Sequence, residues 1–309
     1  MSFVELQTVI ELGLICSLTV LALFLSYSML GVCDLSTDGC FTLGATVGAV
    51  IAVAGHPLLS IPAAMLAGVC SGFVAAILQT KMGINSLLAG IIVNTGLYSV
   101  NIAIMSGSAR VNLNKTDTIF SMVKSLLANT PLKGWHVTVV AGAAVVLTVA
   151  LLTLFLNTRL GLAIRATGNN PDMVRSSSIN PTFTTIVGLC VANALTGLSG
   201  CLMAQSQQST EINIGSGMVT IALASLLIGG TLLGKGGIFV RAVGMVLGAF
   251  IFRLVYAVAL RLDMPAFMLK LVSSVIVALA LALPYLKSQW PIISRRLSYK
   301  KALAGKEGK

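Results

Sequence analysis

Nine stretches of this chain are apolar over nearly the length a helix needs to cross a bilayer, and no other feature constrains the fold as strongly. They lie near 5–30, 37–54, 57–80, 84–105, 136–156, 183–205, 217–233, 239–260 and 266–287 of the 309 residues. About 20 apolar residues in a helix span the hydrocarbon core. Backbone in lipid must satisfy its own hydrogen bonds, which leaves helices or a closed barrel. Barrel strands alternate with a period of two, and these runs do not. Only 9% of the residues are charged, against about 25% in soluble domains, too few to hold a surface in water. The expected fold is an all-α integral membrane protein of about nine transmembrane helices (eight to ten). Its spans at 37–54 and 217–233 are short and Gly-rich.

The net charge of +11 would suggest nucleic acid in a soluble protein. Here the basic residues are spread through loops and one tail without interleaved aromatics, so they point to membrane orientation and anionic headgroups, and nucleic acid is not expected as a partner. An extracytoplasmic N-terminus puts thirteen basic residues on the cytoplasmic side: Lys81, Arg159, Arg165, Arg175, Lys235, Arg241, Lys287, Arg295, Arg296, Lys300, Lys301, Lys306 and Lys309. Five lie opposite: Arg110, Lys115, Lys124, Lys133 and Arg261, with Arg253 and Lys270 inside spans. That asymmetry selects N-terminus out and C-terminus in, for an odd number of spans. No Lys or Arg precedes Lys81, so no cleavable signal peptide is expected. The six cysteines, at 16, 33, 40, 70, 190 and 201, match no common metal spacing and read as small apolar residues. Residues 1–287 form one transmembrane domain. It includes an outer loop, 106–135, with a short surface helix near Ile119–Leu127, and a large inner loop, 157–182. Residues 288–309 form a basic cytoplasmic tail.

The inner loop carries the most informative pattern, Gly161-Leu-Ala-Ile-Arg-Ala-Thr-Gly-Asn-Asn-Pro-Asp-Met-Val-Arg-Ser-Ser-Ser-Ile-Asn-Pro181. Asn170 suits an N-cap, Pro171 the first helical position and Asp172 the positive helix end, predicting a short helix over 171–178. Two further patterns are Cys33-Asp34-Leu35-Ser36 before Leu43-Gly44-Ala45, and Ile221-Ala222, Ile228-Gly229-Gly230-Thr231 before Gly234, Gly237, Gly244 and Gly248. In this order the three resemble the ABC importer permeases of the ribose and branched-chain amino-acid family. Within it they are most similar to a branch of permeases some of which are linked with tryptophan or tyrosine uptake. Cys33 stands where that family often has Gly. The resemblance implies two copies facing each other across a central pathway. Each would dock one ABC ATPase subunit on the helix at 171–178, through Arg165, Gly168, Asn169, Asn170, Pro171, Asp172 and Arg175. An extracytoplasmic solute-binding protein would deliver the solute, and ATP with magnesium would sit on the partner ATPase, leaving this chain without a cofactor or metal. It further implies an amino acid as solute, aromatic first, with a sugar or nucleoside as the alternative.

The halves echo each other, a short Gly-rich span following Asp34-Leu35-Ser36 in one and Asn213-Ile214-Gly215-Ser216 in the other. Such pairs mark internal repeats of transporters. Asn94, Tyr98 and Asn101 share one helix face, and Asn193, Thr196 and Gly200 another. These faces either line a pathway or bond helix to helix. Lining by uncharged amides and a phenol favours a neutral or zwitterionic solute. Gly44/Gly48, Gly68/Gly72 and Gly244/Gly248 read as close-packing pairs. Gly229–Gly236 nearly matches a phosphate-binding loop, but Gly236 replaces the Ser/Thr that would hold magnesium and a membrane span precedes it. His56 and His136 stand alone at span edges, and no catalytic cluster appears, so the chain is not expected to be an enzyme. An ion-coupled secondary transporter remains the rival class. It would want a buried carboxylate, and the one counted within a span is Glu11, near its end.

Overall fold

The computed structural model describes residues 3–114, 116–126, 133–234 and 236–261, together with positions 271, 274, 275, 277, 278 and 282. Helix α1 (Phe3–Leu23) runs without interruption into a π-helical segment, Phe24–Met29, and the chain is then irregular to Ser36. There follow α2 (Thr37–Val53), α3 (Ser60–Thr80) and α4 (Ser86–Ile104). A short strand β1 (Arg110–Asn112) and helix α5 (Ile119–Leu126) lead to α6 (His136–Asn157). Helices α7 (Arg159–Asn169) and α8 (Pro171–Ser176) precede α9 (Pro181–Ser206), strand β2 (Ser209–Glu211), α10 (Met218–Leu233) and α11 (Ile238–Arg261). Among the described residues, six helical spans are long and apolar enough to cross a membrane, and α2 and α10 are shorter apolar helices at the positions of the two expected Gly-rich spans. The ninth expected span, 266–287, and the tail lie outside the described residues, apart from the single positions named above.

Two helices form the axis of the bundle. In the most apolar 18-residue stretches of the span from Glu5 and of α9, 72% and 78% of residues are buried, against 28% to 33% in those of the other long helices, whose remaining faces are free to meet lipid. Helix α9 is held between α2 and α3 by small residues. A Cβ on Gly44 would strike the carbonyl of Gly197, one on Gly68 the carbonyl of Asn193, and one on Gly200 the carbonyl of Phe41. The paired glycines of the sequence are therefore contact surfaces: Gly44 and Gly48 of α2 and Gly68 and Gly72 of α3 meet α9, while Gly248 of α11 meets Ser225 of α10. Gly229 of α10 packs against Gly244 of α11, as part of a helix seam.

The ends of the bundle are pinned by polar groups. Gln205 of α9 accepts from the Ile119 N–H (2.9 Å) and donates to Ser60 Oγ (2.6 Å), fastening α5 and α3 to one end. There β1 and β2 pair antiparallel, Val111 opposite Thr210, and Leu113 packs on Ala49 and Ala52 of α2. At the other end Asn85, Thr158, Asn170 and Asn180 cap α4, α7, α8 and α9. The expected loop 157–182 is thus mostly helical, since Thr158 Oγ1 accepts from the Gly161 N–H and starts α7. Arg241, near the start of α11, donates to Ser28 Oγ (2.8 Å) and lies over the Phe24 ring, which ties α11 to the π segment.

Candidate functional site

The segment Asp34-Leu35-Ser36 begins α2 at the mid-depth of the bundle. Asp34 is 2% exposed. Its Oδ1 accepts from the Ser36 N–H (2.9 Å) and the Ser36 hydroxyl (2.6 Å), a local turn that ends the irregular stretch and launches the helix. Its Oδ2 accepts from Asn193 Nδ2 at 2.7 Å, and Asn193 is at the centre of α9. Gly90 packs on the Leu35 backbone and Gly39 meets Asn94 and Leu97, so the start of α2 sits level with the middle of α4.

Asp38 in the first turn of α2 joins this start to a second one. Its two carboxylate oxygens accept from the N–H groups of Gly217 (2.9 Å) and Val219 (2.8 Å), at the start of α10. This is a capping interaction supplied from another helix, at the end where the helix dipole favours negative charge. Gly217 has φ +88°, a left-handed turn that glycine makes without strain. The Gly215 N–H donates to Thr42 Oγ1 (3.2 Å), completing the joint. From it α2 runs toward the β1–β2 end and α10 toward the α7–α8 end. The two short helices thus start from one joint, with their N-termini together.

Beside this joint is a cavity of about 420 Å³. Asn94, Tyr98 and Asn101, the face expected on α4, all line it, opposite Asp38, Asn213 and Ser216. Asn101 is 1% exposed and donates through Nδ2 to the Gly39 carbonyl at 3.3 Å. Its Oδ1 has no hydrogen-bond partner among the described residues. The second polar face goes elsewhere. Asn193 serves Asp34, Thr196 Oγ1 donates to the Ala192 carbonyl (3.2 Å) and Gly200 packs against α2, all within helix contacts. The structure also corrects the count of carboxylates within the spans. Asp34 and Asp38 both stand at mid-depth; Asp34 enters the sequence reading only within the Asp34-Leu35-Ser36 pattern, and Asp38, inside the expected span 37–54, is not counted there. The available signal was an acidic residue within four positions of a short Gly-rich span, which is the pattern of a capped half-helix.

At the α7–α8 end, Asn170 Oδ1 accepts from the N–H groups of Asp172 and Met173 (both 3.1 Å), with Pro171 at the first turn. The helix ends at Ser176, two residues before the expected limit. It buries Val174 and presents Met173, 67% exposed, flanked by Asp172 and Arg175. Those two charges are 4.0 Å apart and exposed, so their attraction adds little stability. Arg165 is half-buried and Asn169 exposed. Gly168 lies against the backbone of Met29 and Leu30, where any side chain would collide, and Gly31, next in that segment, is close to the Gly168 carbonyl. The end of α7 therefore rests directly on the π segment that leads into Asp34.

A many-helix membrane bundle whose half-helices meet head to head beside a polar cavity is the architecture of a solute transporter. The chain belongs to the family of branched-chain amino acid transport system permease components, whose family model matches residues 6–286. It is 33% identical over 276 residues to the tyrosine transport system permease protein of Clostridioides difficile (strain R20291), covering 89% of this chain and 90% of that protein. It is 33% identical over 226 residues to the protein RP368 of Rickettsia prowazekii (strain Madrid E), covering 72% and 76%. With the ribose import permease protein RbsC of Escherichia coli (strain K12) it shares 28% over 226 residues, 71% of this chain and 66% of that one. No solved structure matches the chain. The chain is a multi-pass membrane permease subunit of the ABC transporter class.

Proposed function

We propose that this chain is the translocating subunit of an ATP-driven importer of a small neutral or zwitterionic amino acid, aromatic ones first. Solute would cross through the cavity between α2, α4 and the β2–α10 connection. The observation that carries this reading is the lining of that cavity by Asn94, Tyr98 and Asn101, with no basic side chain among the described residues that line it. A multiply charged anion entering it would lose hydration without a cation to replace it, at several kcal/mol. The relation to a tyrosine permease supports an amino acid, and the relation to a ribose permease keeps sugars as the alternative. Uptake of labelled tryptophan, tyrosine, leucine, ribose and a nucleoside by the assembled transporter tests this. Asn94→Leu is expected to slow uptake about tenfold, since one hydrogen bond to a charged group contributes roughly 1.5–3 kcal/mol. Transport of a multiply charged anion, or full activity in the variant, would move the pathway elsewhere.

In this reading an ABC ATPase subunit, holding ATP and magnesium, docks on α8, and an extracytoplasmic binding protein delivers solute at the β1–β2 end. A second copy of the chain closes the pathway on the exposed side of α4. The protein sits in a bacterial inner membrane with its N-terminus outside and its C-terminus in the cytoplasm. The contact of Gly168 with Met29 and Leu30 gives movement of α8 a direct route to the half-helix joint. Asp172→Pro or Arg175→Glu is expected to leave ATP hydrolysis intact while uptake falls to background. Met173→Cys on a cysteine-free background should react in intact cells with permeant reagents alone. Coupled transport in both variants, or labelling by an impermeant reagent, would remove α8 from the cytoplasmic docking site.

A further inference from the structure

We infer that Arg165 and Arg241 together form a site for the phosphate of an anionic phospholipid, at the α7–α8 end of the bundle. The inference is independent of the solute path. Arg241, in the first turn of α11, donates through Nη2 to Ser28 Oγ (2.8 Å), and its Cζ lies 5.3 Å from the centre of the Phe24 ring. Both contacts hold the guanidinium against the π segment. Arg165 approaches the same segment from α7. It stands one turn before Gly168, which packs on the backbone of Met29 and Leu30. The two guanidinium groups are near enough to repel each other. Both side chains are half-buried, and neither pairs with a carboxylate among the described residues. Arg165 makes no hydrogen bond among them either.

Two like charges held side by side, each with part of its water removed, are unfavourable until an anion joins them. Arginine suits phosphate in particular, because its planar fork matches two phosphate oxygens at once. Depth decides where that phosphate comes from. Ser28 lies roughly 35 Å along the first span from Phe3, past a hydrocarbon core of about 30 Å and level with headgroups. Tyr27 beside it is exposed, as aromatic residues are at that interface. Phe239 and Val240, which precede Arg241 in α11, are exposed as well and offer an apolar surface to acyl chains. A doubly basic notch with exposed hydrocarbon beside it fits one phospholipid molecule, headgroup and chains together. The basic loops and tail would attract an anionic leaflet diffusely. This pair would hold a single headgroup, and so tie α7 and α11 to the π segment through the lipid.

The test is thermal unfolding of the purified full-length chain in a neutral detergent. Phosphatidylglycerol, phosphatidylcholine with the same acyl chains, or inorganic phosphate is titrated in. Phosphatidylglycerol is expected to raise the melting temperature with a saturable midpoint, and the other two are not. Arg165→Gln should shift that midpoint about fivefold upward, since each basic residue at an anionic surface contributes roughly that factor. It should leave the melting temperature in detergent alone unchanged, because Arg165 loses no hydrogen bond or carboxylate among the described residues. Arg165→Lys, which keeps the charge but not the fork, should fall between. Lys81→Gln removes an exposed cation from the turn between α3 and α4 at the same end, and should leave the midpoint where it is. Equal stabilisation by the two lipids would overturn the inference, as would an effect that inorganic phosphate alone reproduces. An equal shift in Lys81→Gln and Arg165→Gln would reduce the site to diffuse attraction. A wild-type midpoint in Arg165→Gln, with ATP hydrolysis uncoupled from uptake, would give the pair to the ATPase partner and remove the lipid site.

Discussion

Asp38→Ala is expected to lower the melting temperature of the purified permease by several degrees and to reduce uptake to near background. The side chain makes two hydrogen bonds to the backbone at the start of α10, from Gly217 and Val219. Hydrogen bonds to a charged group contribute roughly 1.5–3 kcal/mol each, and the freed N–H groups, part-buried beside the cavity, would lose an acceptor that is held in place for them. A lost cap at an ordinary helix end costs about 1 kcal/mol. This one should cost more, because it also holds two helices together. Asp38→Asn keeps one acceptor but points an N–H at a backbone N–H, so its effect should fall between alanine and wild type. Asp38→Glu should also fail, since an extra methylene cannot fit between α2 and the turn at Gly215, which is already in contact with the Asp38 backbone. Thermal unfolding in detergent followed by size exclusion, with uptake alongside, reads all three. A wild-type melting temperature in Asp38→Ala would show that α10 is capped by other means.

Much of this architecture is legible in the amino-acid sequence, because hydropathy and capping act over a few residues. The spans over α3, α4, α6 and α9 follow from the apolar runs, and α8 from Asn170-Pro171-Asp172. What could not be read depends on partners far apart in the chain. Asn193 looks like a lining residue until α9 is placed beside Asp34, 159 positions away in sequence. The pairing of β1 with β2 joins segments about a hundred residues apart and involves three residues on each side, too few to leave a period-two pattern. The π segment carries no breaking signal, since Phe24–Met29 contains neither Gly nor Pro and continues α1 without interruption. Loop 157–182 was legible at its Asn-Pro caps. Helix α7 within it was missed, because Arg159–Asn169 mixes polar and apolar residues without a long run.

The glycine seam around α9 should be the most sensitive part of the molecule. Gly68→Leu, Gly44→Leu and Gly200→Val are each expected to abolish accumulation of folded protein in the membrane. Lipid is as apolar as a leucine side chain, so burying more hydrocarbon between helices gains nothing. Association here depends on backbones in contact. At each of these positions the atom a new Cβ would meet is a main-chain carbonyl of the neighbouring helix, which cannot rotate away as a side chain can. Overfilling an ordinary core costs about 1–3 kcal/mol, where neighbouring side chains can adjust. Here the helices themselves must separate. Parting α3 from α9 would also displace Asn193 from Asp34 and strand a carboxylate at mid-depth. The control lies on the same fold. Gly142 in α6 faces open space, and alanine is the better helix former, so Gly142→Ala should accumulate at least as well as wild type. Quantitative immunoblotting of membranes, with size exclusion of the solubilised protein, compares it with the others. Monodisperse Gly68→Leu at wild-type levels would mean that α3 and α9 do not meet through their backbones.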